Sequence, residues 1–323
     1  MRTIALVVAL GLVIGVAFVN FTGGTGESPA LDDAILTEKV SAECIGDCAT
    51  RKPEPAPVPC LTCNQDENTW RGVTSKAPPP LGAHGVALIE ASCGRMIYGL
   101  RSDEQRPPAS LAKIVTAMVV ADNAKLTDQV DIKINGWDLV VENDSTIMGL
   151  EKGMRMSVED LLYGLMLASG NDAALALADH LGGEAKLVEK MNQRVQKLGL
   201  QHTVLRNSHG LDAPGAHTSP LDMAFLGREL LTYRELAEIV DTESRAFSWH
   251  DRGKIENGNY LTYTYKDSIG IKTGYTEQSG FLIVGAAERN GRVLIASAFD
   301  GFDPIWDAMK LFDWAYENVP SVC

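Results

Sequence analysis

The sequence predicts an α+β fold: a five-stranded antiparallel sheet flanked by helices, completed from both ends of the chain, with an all-helical region inserted in the middle. Two short apolar runs near residue 85 read as a hairpin, and three more strand-like runs begin near residue 268. Between them lies a long stretch with helical periodicity and helix start and stop signals. No repeat of structural length interrupts this order.

The chain opens with Met1-Arg2 and an apolar run from Ile4 to Val19. That run is slightly long for a signal-peptide core and slightly short for a membrane span. Residues 1–20 therefore read as a signal peptide or as a retained inner-membrane anchor, and both imply export. Gly15-Val16-Ala17 offers a small-x-small cleavage point. Residues 21–81 are rich in Gly, Pro and Cys, include the polyproline-like Pro53-Glu-Pro-Ala-Pro-Val-Pro59, and read as a linker. Cys44, Cys48, Cys60 and Cys63 lie within it. Their spacing also suits a four-thiolate zinc site, but the Pro-rich surroundings and an oxidising destination favour disulfides. Cys93 and Cys323 can bond only if the fold brings the two ends of the globular part together.

The globular part, residues 82–320, starts with Gly85-Val-Ala-Leu-Ile-Glu-Ala91 and Arg95-Met-Ile-Tyr-Gly-Leu100, which turn at Ser92-Cys93-Gly94. Pro107-Pro108 then lead into Leu111-Ala-Lys-Ile-Val-Thr-Ala-Met-Val-Val-Ala121, an almost wholly apolar run that predicts a buried central helix. Ser157 with Asp160 resembles a capping box and starts a helix through Leu161 to Leu167. It breaks at Ser169-Gly170-Asn171, and a third helix runs from Ala173 to Leu181, stopping at Gly182-Gly183. Ser268 to Gly274, Gly280 to Ala287 and Arg292 to Ala298 read as strands, the last two joined by the hairpin turn Asn290-Gly291. An amphipathic helix from Asp303 to Glu317 closes the domain, and no additional C-terminal domain is expected.

Bulk composition narrows the function. With 323 residues, 45% of them apolar, there is ample core. A net charge of -13 lacks the basic footprint of a nucleic-acid binder. The six histidines stand in no metal-ligand or triad context, and no Gly-x-Ser-x-Gly elbow occurs, so a serine nucleophile here needs a base other than histidine. Neither metal nor cofactor is expected.

Three short motifs carry the chemistry. Ser110-Leu-Ala-Lys113 puts a hydroxyl and an amine on one helical face, where the apolar neighbours favour the neutral amine that a base requires. Taken alone, Ser110 would read as a helix cap and Lys113 as a snorkelling surface residue. Ser169 and Asn171, two apart in a tight loop, can both face a cleft, although capping alone would also explain them. Lys272-Thr273-Gly274, followed by Tyr275, combines groups suited to an anionic carboxylate with a glycine that permits close backbone approach. An edge-strand lysine guarding against aggregation is its plainer reading.

In this order the motifs resemble those of the penicillin-binding D-alanyl-D-alanine carboxypeptidases. The likeness extends to Arg106-Pro-Pro-Ala-Ser-Leu-Ala-Lys-Ile114, Met148-Gly-Leu-Glu-Lys-Gly153, Asn207-Ser-His-Gly-Leu211 and Lys272-Thr-Gly-Tyr-Thr276, and so covers residues 82–319. It implies a β-lactamase/transpeptidase-like fold in the periplasm or at the outer face of the cytoplasmic membrane. It implies peptidoglycan stem peptides as substrate and β-lactam antibiotics as covalent inhibitors. By the same resemblance Ser110 is the nucleophile, Lys113 its base, and Ser169 the relay to the leaving group. Asn171, Lys272, Thr273 and Gly274 bind substrate, and the backbone N–H groups of Ser110 and Tyr275 form the oxyanion hole. The alternatives are a D,D-endopeptidase on crosslinks, a class A-like β-lactamase and a catalytically idle wall-binding module. The 21–81 segment lies outside the family pattern.

Overall fold

The computed structural model describes residues 69–323 apart from 251 and 252. The leader or anchor at 1–20, most of the 21–81 linker, and Cys44, Cys48, Cys60 and Cys63 lie outside the described residues. Among the described residues no helix is long and apolar enough to cross a membrane.

In chain order the elements are strands β1 (Gly85–Glu90) and β2 (Met96–Leu100), helix α1 (Ala112–Asn123), β3 (Gln129–Asp131), α2 (Gly136–Asn143), β4 (Arg155–Ser157), α3 (Val158–Met166) and α4 (Asn171–His180). There follow α5 (Glu184–Lys197), α6 (Pro220–Leu230), α7 (Arg234–Asp241), β5 (Ser244–Ala246), β6 (Lys254–Glu256), α8 (Leu261–Thr264), β7 (Ser268–Thr276), β8 (Gly280–Arg289), β9 (Arg292–Gly301) and α9 (Pro304–Asn318). The main sheet has the order β2-β1-β9-β8-β7, all neighbours antiparallel, so first and last thirds of the chain do interleave in one sheet. Pairing of Val86 with Ala298 and of Leu88 with Ala296 sets the register between them.

Both faces of this sheet are covered, which is why every residue of β1 is buried rather than every second one. Ala87 and Ile89 point into the core shared with the helical region, while Val86 and Leu88 point to the core shared with α9. Helix α1 sits in the middle of the first core with nine consecutive buried residues, Ala112 to Val120. Capping follows the predicted chemistry at α3, where Ser157 Oγ accepts from Asp160 N, and Asp303 likewise accepts from Trp306 N at the start of α9.

The folded part begins earlier than residue 82. Trp70 is buried with Tyr98 and Trp314, Trp314 Nε1 donates to the Lys76 carbonyl, and Lys310 Nζ donates to the Pro80 carbonyl. The Pro-rich composition read as linker is therefore, from residue 69 onward, a strap laid along α9. At the other terminus Cys93 and Cys323 form a disulfide with Cα atoms 5.9 Å apart. Ser321 Oγ and Val322 N donate to the buried Glu90 carboxylate, which also pairs with Arg292 at 3.1 Å, so the tail is sewn to the first hairpin.

The bridge closes a sequence separation of 230 residues. Its reduction, or Cys93→Ser, is expected to cost about 2–5 kcal/mol and to lower the melting temperature in calorimetry. An unchanged melting temperature would mean that the Glu90 cluster alone holds the tail.

Candidate active site

Ser110 stands on a single 3-10 turn, Ala109–Leu111, immediately before α1, rather than on the α-helix itself. Ala109 has φ +44, a conformation that costs an L-residue energy and is held here by its surroundings. Two glycines allow that. Gly210 has φ +90, and a Cβ there would lie 1.9 Å from the Ala109 carbonyl oxygen. A Cβ on Gly274 of β7 would lie 3.0 Å from the Ser110 nitrogen. The serine turn is thus gripped between the 207–211 loop and the third motif.

One turn further on, Lys113 is fully buried, an unusual position for an ammonium. Burial, reinforced by the charge of Lys272, pushes its pKa well below the ordinary lysine value. Its Nζ has three oxygen neighbours: Asn171 Oδ1 at 2.7 Å, the His209 carbonyl at 2.7 Å and Ser110 Oγ at 2.9 Å. Two of these can only accept. A neutral amine carries two hydrogens and one lone pair, so the carbonyls consume the hydrogens and leave the lone pair facing the serine hydroxyl. Asn171 cannot be turned round without loss, because its Nδ2 donates to Ser145 Oγ at 2.9 Å.

The second motif is anchored by a residue the sequence reading passed over. Asp172 is completely buried, and its carboxylate accepts from the backbone N–H groups of Met148, Gly149 and Leu150, each at 2.9 Å. Ser169 takes a left-handed φ of +57, and Thr146 Oγ1 donates to its carbonyl at 2.8 Å. Its own hydroxyl lines the cleft and carries no hydrogen bond among the described residues. Ser145, Asp172, the His209 carbonyl and Gly210 belong to the site through contacts between residues far apart in sequence. Asn207-Ser-His-Gly-Leu211 was the one sequence signal for that loop. The His209 ring is itself buried, which takes its pKa down to about 4, so it remains neutral.

The third motif forms the opposite wall. Lys272 on β7 is buried, its Nζ donates to the Thr273 carbonyl at 2.9 Å, and burial lowers its pKa to about 7. The cleft encloses about 800 Å³ and brings together Ser110, Ser169, Asn171, Lys272, Thr273, Gly274 and Tyr275. Its outer rim is aromatic, with Tyr275 and Phe281 stacked at 4.5 Å and both half-exposed. All eight residues singled out in the sequence, Lys113 included, therefore converge. Among the described residues no cluster of His, Cys, Asp or Glu could hold a metal. The arrangement suits acyl transfer through a serine with an amine base.

A family model described as D-alanyl-D-alanine carboxypeptidase matches residues 72–303. The D-alanyl-D-alanine carboxypeptidase DacD of Escherichia coli is 35% identical over 260 residues, which are 77% of this chain and 66% of that protein. This chain thus spans just under two thirds of that relative. A crystal structure of D-alanyl-D-alanine carboxypeptidase from Mycobacterium tuberculosis superposes with a TM-score of 0.70 at 31% identity, covering 76% of this chain and 97% of the other. The Streptomyces K15 DD-transpeptidase superposes at 0.71 with 28% identity, covering 75% and 100%.

Gly210→Ala should destabilise the protein by about 2–4 kcal/mol and displace the His209 carbonyl from Lys113, since strain and clash add. Gly72→Ala, at a site with nothing near its Cβ position, is the control and should be neutral. Thermal unfolding of both checks this, and equal melting temperatures would contradict it.

Proposed function

The chain belongs to the D-alanyl-D-alanine carboxypeptidase family, and on that premise we propose that it removes the terminal D-alanine from peptidoglycan stem peptides through an acyl-enzyme on Ser110. The single observation that carries this is the buried Lys113, whose Nζ lies 2.7 Å from two carbonyl oxygens and 2.9 Å from Ser110 Oγ, the placement from which a neutral amine would turn its lone pair to the serine.

In this reading Ser110 Oγ attacks the penultimate carbonyl and passes its proton to Lys113. The oxyanion is held by the backbone N–H groups of Ser110 and Tyr275, each worth about 3 kcal/mol in the transition state. The proton is relayed through Ser169 to the departing amine as the C–N bond breaks, and free D-alanine leaves. Water then attacks the ester, returning the proton to Ser110. Asn171 keeps Lys113 oriented and faces the donor peptide. Lys272 and Thr273 receive the free carboxylate, and Gly274 lets the substrate backbone approach β7. A β-lactam would acylate the same serine. The apolar leader supports export, and we propose that the domain works at the outer face of the cytoplasmic membrane.

Two tests follow. Fluorescent penicillin should label the wild type covalently and fail to label Ser110→Ala, while a diacetyl-Lys-D-Ala-D-Ala peptide should release D-alanine; fast nitrocefin turnover without D-alanine release would point instead to a β-lactamase. Activity should also depend on pH in two ways. The neutral fraction of Lys113 grows as pH rises, which speeds acylation. Lys272 is protonated below its pKa of about 7 and loses its charge above it, so KM for the peptide should increase as pH rises through about 7. A KM that stays flat from about pH 6 to about pH 9 would remove Lys272 from carboxylate binding.

A further inference from the structure

The cleft continues past its catalytic groups onto an aromatic surface that no step of the reaction uses. Tyr260, Phe281 and Phe302 line the same space of about 800 Å³ as Ser110 and Lys272, and Tyr275 stacks on Phe281. All four rings are exposed, Phe302 to 98%, and Trp306 in the first turn of α9 is exposed as well. A run of exposed aromatic rings at the mouth of a site marks a surface that is covered when the protein works.

The turn that offers Phe302 is a built one. Phe281 pairs with Gly301 and Leu282 with Phe299, so Asp300 is an extra residue of β9, a bulge of the kind that re-aims side chains beside a site. Asp300 has φ +54, and its carboxylate accepts from Arg106 Nη2 at 2.5 Å, on the approach to the serine turn. A Cβ on Gly280 would lie 2.3 Å from Asp300 Oδ1, so only glycine leaves that carboxylate its place. Tyr260 is fixed too, donating its hydroxyl to Asp303 Oδ1 at 2.8 Å. A ring held wholly in water adds little to the stability of the fold.

Direction along β7 says which part of the substrate arrives here. With the free carboxylate at Lys272 and Thr273 and the scissile carbonyl at the Tyr275 N–H, the donor runs on toward Thr276. That is the end at which Tyr275, Phe281 and Gly301 pair across three strands. A stem peptide followed in this direction leads to the sugar that carries it. Chemistry agrees. Ring faces stand beside the Tyr260 hydroxyl and the Asp303 carboxylate, whose Oδ1 takes Tyr260 and the Trp306 amide and whose Oδ2 has no partner among the described residues. Such a mixture suits a ligand with apolar C–H faces and hydroxyl edges. Among the described residues Lys272 is the only cation lining the cleft, so an anionic lipid surface would meet Asp303 and a chain of net charge -13 with like charge.

We infer that this aromatic shelf binds a sugar ring of the glycan strand that bears the donor stem peptide. The inference rests on the carboxypeptidase reading, and the experiment separates the two. D-Alanine release from a pentapeptide carried on its N-acetylglucosaminyl-N-acetylmuramyl disaccharide is compared with release from the same pentapeptide without sugar. The comparison is made in wild type, Phe302→Ala and Asp303→Asn, the last of which keeps a capping residue on α9. Wild type should show a KM about fivefold lower for the sugar-bearing form, and each variant should reduce that preference to about twofold or less. Turnover of the bare pentapeptide and penicillin labelling should stay unchanged in both variants. Equal KM values in wild type, or a preference surviving in either variant, overturn the inference while the carboxypeptidase reading stands. Should neither form turn over, calorimetric titration with peptide-free glycan still decides it: binding by wild type that is lost in Phe302→Ala supports the shelf, and absent or unaltered binding refutes it. Wild type that pellets with phosphatidylglycerol vesicles while Phe302→Ala does not would assign the patch to a membrane and likewise overturn the inference.

Discussion

The site depends on a count of hydrogens. A lysine enclosed on all sides by protein has no water to share its protons with, and in the neutral form that burial favours, two fixed carbonyl oxygens would claim both hydrogens of the amine. What remains is one lone pair with one neighbour, Ser110 Oγ. The lone pair would thereby be aimed without any third titrating group. Such an arrangement works only if both carbonyls are immovable, and much of the surrounding structure serves that end. Ser145 pins the Asn171 amide. Glu184 pins the His209 loop by accepting from Ser208 N and Oγ, and Thr116 Oγ1 on α1 donates to the Ser208 carbonyl.

The sheet supplies the other half of the constraint. Because β1, β8 and β9 are buried on both faces, their long apolar runs leave little freedom of register, and β7 is carried to a fixed position at the edge. Helix α6 packs against the same sheet and α1 packs on α6, while the serine turn itself lies against β7 and β8, so the serine turn and the Lys272 strand are held together. Chemistry that needs sub-ångström placement is thus mounted on the stiffest part of the molecule, with the adaptable groups at the rim.

What the sequence revealed, and what it concealed, divides by range of interaction. The five sheet strands and the closing helix were legible because β-branched runs, turn residues and caps are local signals. So were Ser110, Lys113, Ser169, Asn171 and the Lys272 triplet, because their chemistry is tied to short spacings. The His209 carbonyl lies 96 residues from Lys113, and its side-chain type is irrelevant to what its backbone does. Asp172 holds three amides more than twenty residues away, and nothing local to it signals that. Tyr260, Phe281 and Phe302 are far apart in the chain and line one cleft only through the fold. Residues 69–81 misled for a different reason: proline marks the absence of regular structure, not the absence of contact, and one buried tryptophan is enough to dock such a segment.

An outermost strand normally offers a row of unpaired peptide groups on which a foreign sheet can grow. On β7 that row is interrupted twice, by the end of α7 at Gly270, where a Cβ would lie 2.1 Å from the Val240 carbonyl oxygen, and by the serine turn at Gly274. A segment of a few residues can still lie along it, but a second sheet cannot. The close approach that completes the cleft therefore also protects the chain from polymerising through the edge that borders its cleft.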